Sequence, residues 1–178
     1  MNQNCPACGN PVVQGSGNLN CDFLIIEEFP ELCLPEPPKT GWMKSREDWT
    51  SRKILIAELA KVGMVIQQFR IVSVYPHTVD ADKKKRVLDP NCQQFGLEQV
   101  VSEILDRKGV IIFGKELCKE FTGYTLKQVQ GLSGVNSQYI PDGDVPRFFA
   151  EPLRTILNPK NPGVGEFRIG LERFVSQL

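Results

Sequence analysis

Cys5-Pro-Ala-Cys8 sets two thiols in one tight turn near the start of the chain, a spacing that lets both grip a single metal ion. His77 is the only histidine in 178 residues and follows an apolar run; Cys92 lies beyond a polar, basic loop. Cys5, Cys8, His77 and Cys92 together read as one metal site that pins the N-terminus and a long loop to the body of the protein. The blander reading is a set of unrelated thiols and a satisfied histidine, since C-x-x-C alone is common. Cys21, Cys33 and Cys118 have no informative spacing, and Cys118, within a helical pattern, reads as a small core residue.

The elements that must position these groups alternate between strand and helix. Asp22 to Ile26 is nearly all apolar, as suits a strand covered on both faces. Residues 35–41 hold three prolines and form an irregular loop. A helix is expected from about Asp48 to Val62, stopped by Gly63. Phe69 to Tyr75 is a second strand, ended by Pro76, and Asp80 to Asn91 is charged and irregular around Lys83-Lys84-Lys85-Arg86. Leu97, Val100, Val101, Ile104 and Leu105 keep the spacing of a core-facing helix.

Gly109 to Phe113 is a third strand, turned by Gly114 into a helix from Lys115 to Phe121 with Gly123 as its cap. A fourth strand lies near Val145 to Phe149, and a closing helix carries Phe167, Leu171, Phe174 and Val175 on one face. Such alternation predicts an α/β fold: one domain over 1–178, three layers α/β/α around a four-stranded parallel sheet, with 1–20 as a metal-binding arm.

Composition narrows the function. With 41% hydrophobic and 24% charged residues the chain falls in the globular class. Lys+Arg and Asp+Glu both number 21, so contact with nucleic acid must come from a local basic patch rather than an overall positive field. No apolar run is long enough to span a membrane, and the N-terminus lacks the pattern of a signal peptide. The expected location is intracellular, in cytoplasm or nucleoid, with no membrane partner. In a reducing compartment, cysteines point to metal or free thiols before disulfides.

In their order these segments resemble the uracil-DNA glycosylase superfamily, most closely its iron–sulfur branch, over nearly the whole chain. The passage from Val13 to Pro30 is similar to the branch's first strand and its Gly-Glu-x-Pro-Gly motif; Glu28 and Pro30 match, while Glu27 and Glu31 replace glycines. Arg70 lies near the place of the base-reading asparagine. Val74 falls where the third cluster cysteine would be, with His77 three residues later as a substitute ligand. Val110 to Leu117 resembles the strand–Gly–helix step, and Leu126 to Gly131 the run ending in Arg-Gly, with Gln130 for arginine. Phe148 to Arg154 resembles the His-Pro loop, its histidine replaced by Glu151.

The resemblance implies a protein that binds DNA and excises a damaged or modified base from a flipped-out nucleotide, by hydrolysis of the N-glycosidic bond. Glu28 would stabilise the sugar cation and orient water, and Glu151 takes the place of the donor to the departing base. A carboxylate accepts and does not donate. Glu151 would therefore serve only if protonated, or would instead accept from the amino group of a cytosine-type or modified base. Phe29, Pro30 and Trp42 would contact the base, with Arg70 near the reading position. Gly114, Pro152, Leu153 and Arg154 would meet the DNA backbone or fill the gap, and residues 83–86 would meet phosphate or form a solvated face. The resemblance also implies a [4Fe–4S] cluster on Cys5, Cys8, His77 and Cys92, while the Cys₃His set equally suits structural zinc. The competing expectation is an inactive relative that serves as an accessory to DNA or to a replication or repair protein.

Overall fold

A computed structural model describes residues 4–30, 32, 46–77, 89–131, 145–156 and 163–178. Four strands, β1 (Phe23–Glu27), β2 (Phe69–Ser73), β3 (Gly109–Phe113) and β4 (Arg147–Ala150), form one parallel sheet in the order β2-β1-β3-β4. The helices are α1 (Arg46–Lys61), α2 (Pro90–Ile104), α3 (Lys115–Thr122), α4 (Leu126–Gly131), α5 (Leu153–Ile156) and α6 (Val164–Val175). An α/β architecture with a four-stranded parallel sheet is thus as expected.

The continuous apolarity of β1 and β3 reflects burial on both faces. Phe23, Ile25, Ile71, Ile111, Phe113 and Phe148 pack against Leu55 and Leu59 of α1, Ile156 of α5, and Phe167, Leu171 and Phe174 of α6. Leu24, Ile26, Val72, Val110, Ile112 and Phe149 pack against Val100 and Ile104 of α2, Leu117 and Cys118 of α3, and Leu126 and Val129 of α4. Successive side chains of a strand point to opposite faces, so each strand serves both cores. Cys118 is a fully buried core residue, as its helical position suggested.

The free edge of β2 is covered by the N-terminal arm. Ser16 N–H donates to Ile71 O at 2.9 Å and Ile71 N–H returns to Ser16 O at 2.8 Å, an antiparallel bridge that removes an exposed edge. Gly17 fits because a Cβ there would lie 2.3 Å from Phe69 O.

Two expectations are corrected by α2. Its N-terminus is at Pro90, inside the stretch read as irregular: the Asp89 side chain accepts from Asn91 N–H at 2.9 Å, and Pro90 needs no N–H partner at the first helical position. Its buried stripe is Cys92, Gly96, Val100 and Ile104. Val101 and Leu105, expected in the core, are 49% and 69% exposed. The close approach of Gly96 to β2 selects this i, i+4 row in place of the broader apolar one. No helix among the described residues is long and apolar enough to cross a membrane.

Candidate metal centre and strand-end site

Cys5 and Cys8 occupy a small loop closed by Cys5 N–H to Asn10 O and Gly9 N–H to Cys5 O, both 2.8 Å, with Gly9 in the left-handed region at φ +73°. His77 follows Pro76 beyond β2, and Cys92 lies in the first turn of α2. The fold brings these three segments together. One ligand atom from each of Cys5, Cys8, His77 and Cys92 lies within 4.8 Å of all the others. Cys5 and Cys92 Sγ are 3.7 Å apart, and Cys8 Sγ is 3.4 Å from His77 Nε2.

These four groups could hold a metal ion. Four ligands about 2.3 Å from a tetrahedral ion sit about 3.8 Å from one another, close to the observed spacing. A cubane cluster interposes four irons and four sulfides and needs its ligands further apart. The observed spacing is near that of four ligands around one ion and shorter than the separation across a cubane. Burial raises Cys92 to about 12, helped by the thiols of Cys8 and Cys5. Burial also opposes ionisation of Cys5, but the N–H groups of Ala7 and Cys8 and the neighbouring thiols outweigh it and lower its pKa.

A chain of contacts leads from this centre to the C-terminal ends of the strands. Gln93, next to Cys92, accepts from the Tyr75 hydroxyl at 3.0 Å. Tyr75 stacks on Phe29 with ring centroids 5.1 Å apart, and its N–H donates to Glu28 O at 2.9 Å. Burial, then the charges of Glu28, Cys92 and Asp89, push the Tyr75 hydroxyl up to about 12. At neutral pH the hydroxyl is protonated and donates to Gln93.

Glu28, Gly114 and Glu151 each follow the last residue of a neighbouring strand, β1, β3 and β4 respectively. The chain passes from β1 outward to β2, returns across β1 to β3 and goes on to β4, so the winding reverses between β1 and β3. Open parallel sheets bind ligands at the strand C-termini, at such a reversal point. Gly114 N–H donates to Ala150 O at 3.0 Å, and a Cβ on Gly114 would lie 3.8 Å from the Glu28 Cβ. The half-buried Glu151 takes an ion pair from Lys115 Nζ at 3.1 Å. Its Oε2 is buried without a hydrogen-bond partner among the described residues.

Other candidates are placed elsewhere or are engaged. Arg70 sits near the start of β2, at the far end from Glu28. Its guanidinium donates to Gly15 O at 2.6 Å and Gly17 O at 3.3 Å and pairs with Glu103 at 3.2 Å. Arg70 therefore holds the arm down, and it does not join the strand-end group. Phe29 and Pro30 are buried. Pro152 is half-buried, its carbonyl accepting from Thr155 and Ile156 N–H. Leu153 and Arg154 begin α5, and their side chains lie outside the described residues. Trp42 and residues 83–86 also lie outside them.

Lys115, Gln93, Tyr75 and Gly96 were not singled out by the sequence reading. Lys115 could have been noticed as the first residue after the strand–Gly turn. The Asp89-Pro90 cap would have put Cys92 and Gln93 on a helix. No protein-family model matches this chain, and no curated protein matches it closely enough to count as a relative.

Proposed function

We propose that this chain is a DNA glycosylase-like enzyme, a divergent relative of the iron–sulfur branch of the uracil-DNA glycosylases. It binds DNA and hydrolyses the N-glycosidic bond of a flipped-out nucleotide at the strand ends. The observation that carries this reading is the placement of Glu28 and Glu151, far apart in sequence, at strand ends on either side of Gly114 and beside the β1–β3 reversal of the sheet.

In this reading Glu28 lies along the sugar, where positive charge builds as the bond to the base breaks. Its carboxylate stabilises that charge and orients the water that adds to the sugar. The bonding pair leaves with the base, and one proton of the water ends on it. Duplexes and single strands bearing uracil, hypoxanthine or modified cytosines test this directly. Abasic product from wild type, reduced about a hundredfold in Glu28→Gln, supports it. No product from any lesion, by protein that is folded and binds DNA, overturns it in favour of the accessory reading. That alternative is favoured by one observation: Arg70 and Phe29 are engaged within the fold and are not free to touch a base.

The metal is assigned as one structural zinc ion in place of the cluster, on the close spacing of the ligand atoms. It holds the arm and the start of α2 against the end of β2 and takes no part in chemistry. One zinc per chain in a colourless protein supports this; a brown protein carrying iron and sulfide overturns it.

A further inference from the structure

We propose that Lys115 and Glu151 act as a donor–acceptor pair that reads and activates a base with an exocyclic amino group, of the cytosine type. This deepens the glycosylase reading and rests on it.

Glu151 alone at this position would repel the negative charge that builds on a departing base. Lys115 changes the balance. Its ammonium lies 3.1 Å from Glu151 Oε1, at the first turn of α3 and directly beyond Gly114. An ammonium has three N–H donors, and the salt bridge uses one. Glu151 in turn uses one oxygen on Lys115 and leaves Oε2 buried without a partner among the described residues. Oε2 is closed to solvent, so a ligand reaches the carboxylate on its Oε1 side, where Glu151 keeps 27% of its side-chain surface open beside the 63% exposed Lys115.

The pair thus offers one acceptor beside a donor, on the strand end next but one to Glu28. Cytosine presents a complementary edge: its N4 amino group donates, and the adjacent ring N3 accepts. With N4–H on Glu151 Oε1, the Lys115 ammonium reaches N3, onto which the charge of the departing base delocalises. Uracil fits worse. Held in the same orientation, its O4 would face the carboxylate and its N3–H the ammonium, so acceptor meets acceptor and donor meets donor. When the bond between sugar and base breaks, the electron pair goes to the base and Lys115 donates a proton to N3. Water adds to the sugar, and the proton it releases restores the ammonium.

The test uses full-length Glu28→Gln to suppress turnover, with single strands that differ only in a central cytosine, 5-methylcytosine or uracil. Binding is read by fluorescence anisotropy. Preference for the amino-bearing bases of about tenfold is expected. Adding Glu151→Gln, whose amide can donate, should abolish or reverse that preference, with thermal melting as the folding control. In the Glu28-containing protein, Lys115→Ala should lower kcat about a hundredfold with little change in KM, and Lys115→Arg should restore part of it. Equal binding to all three bases, or preference for uracil, overturns the proposal. Amino-base preference without excision would instead sink the glycosylase reading and leave the recognition pair standing.

Discussion

Gly96 of α2 lies against the backbone of Val74, so closely that a methyl group on it would sit within bonding distance of the Val74 carbonyl oxygen. Only a residue without Cβ permits this approach, and the approach carries Cys92 and Gln93 to the end of β2. Gly96→Ala should therefore be destabilising despite gaining about 1 kcal/mol of helix propensity. The expected net loss is about 2 kcal/mol or more, as overpacking against backbone forces α2 away. Urea unfolding measures it. A variant as stable as wild type would show that α2 does not press on β2 as described.

On the zinc reading, removal of the ion should loosen the arm more than the sheet. The two core clusters contain neither His77 nor Cys92. The arm also keeps its own bonds to Ile71, and Gly15 and Gly17 are held by Arg70. Cys92→Ser or a chelator should lower the melting temperature and speed proteolysis near residues 4–17, while the far-ultraviolet spectrum changes little. Zinc in excess at about a hundred times its dissociation constant should add roughly 2.7 kcal/mol to the wild type and almost nothing to the variant. An equal response of both proteins would exclude these four residues as the binding site.

The strands were legible because burial on both faces leaves an unmistakable run: all five residues of β1 and all five of β3 are buried. The Cys/His group was legible because histidine occurs once and cysteine six times in 178 residues. Less could be read where backbone geometry decides. Val101 and Leu105 match the apolar period of α2, yet they face outward because Gly96, invisible to a hydrophobicity pattern, sets the contact row. Arg70 looked like a ligand-facing cation. Its partners are the carbonyls of Gly15 and Gly17 and the carboxylate of Glu103, and a register between distant segments decides those. Lys115 meets Glu151 because β3 and β4 are neighbours, a pairing that no local pattern displays.

On the opposite face, Glu58 of α1 is held by Arg168 of α6, with Nε to Oε2 at 2.7 Å and Nη2 to Oε1 at 3.1 Å. The hydrogen bonds from Arg168, then those of Lys61, lower the Glu58 carboxyl below its ordinary value in spite of its burial. A carboxyl depressed in the folded state adds stability above its unfolded value, about 4.3, and loses that stability as pH falls through the folded one. Glu58→Gln should thus melt about 3 °C or more below wild type at pH 7. The gap should close as the solution is acidified. A gap that stays constant to the acid limit would mean that the pair adds nothing through charge.

Gly114 separates two effects at the strand ends. Its φ of +140° is a backbone conformation that residues with a Cβ rarely adopt, while a Cβ there would meet its nearest neighbours only at ordinary contact distances of 3.5 to 3.8 Å. The glycine is thus required for the turn rather than for space. Gly114→Ala should cost about 1 to 3 kcal/mol in strain if the turn is kept. If the turn relaxes instead, α3 begins at another angle and Lys115 leaves Glu151. The second course would leave stability nearly intact while abolishing discrimination between cytosine and uracil in the binding assay. Unfolding and binding measured on the same preparation decide between the two. A variant unchanged in both would show that neither the turn nor the Lys115–Glu151 pair depends on this glycine.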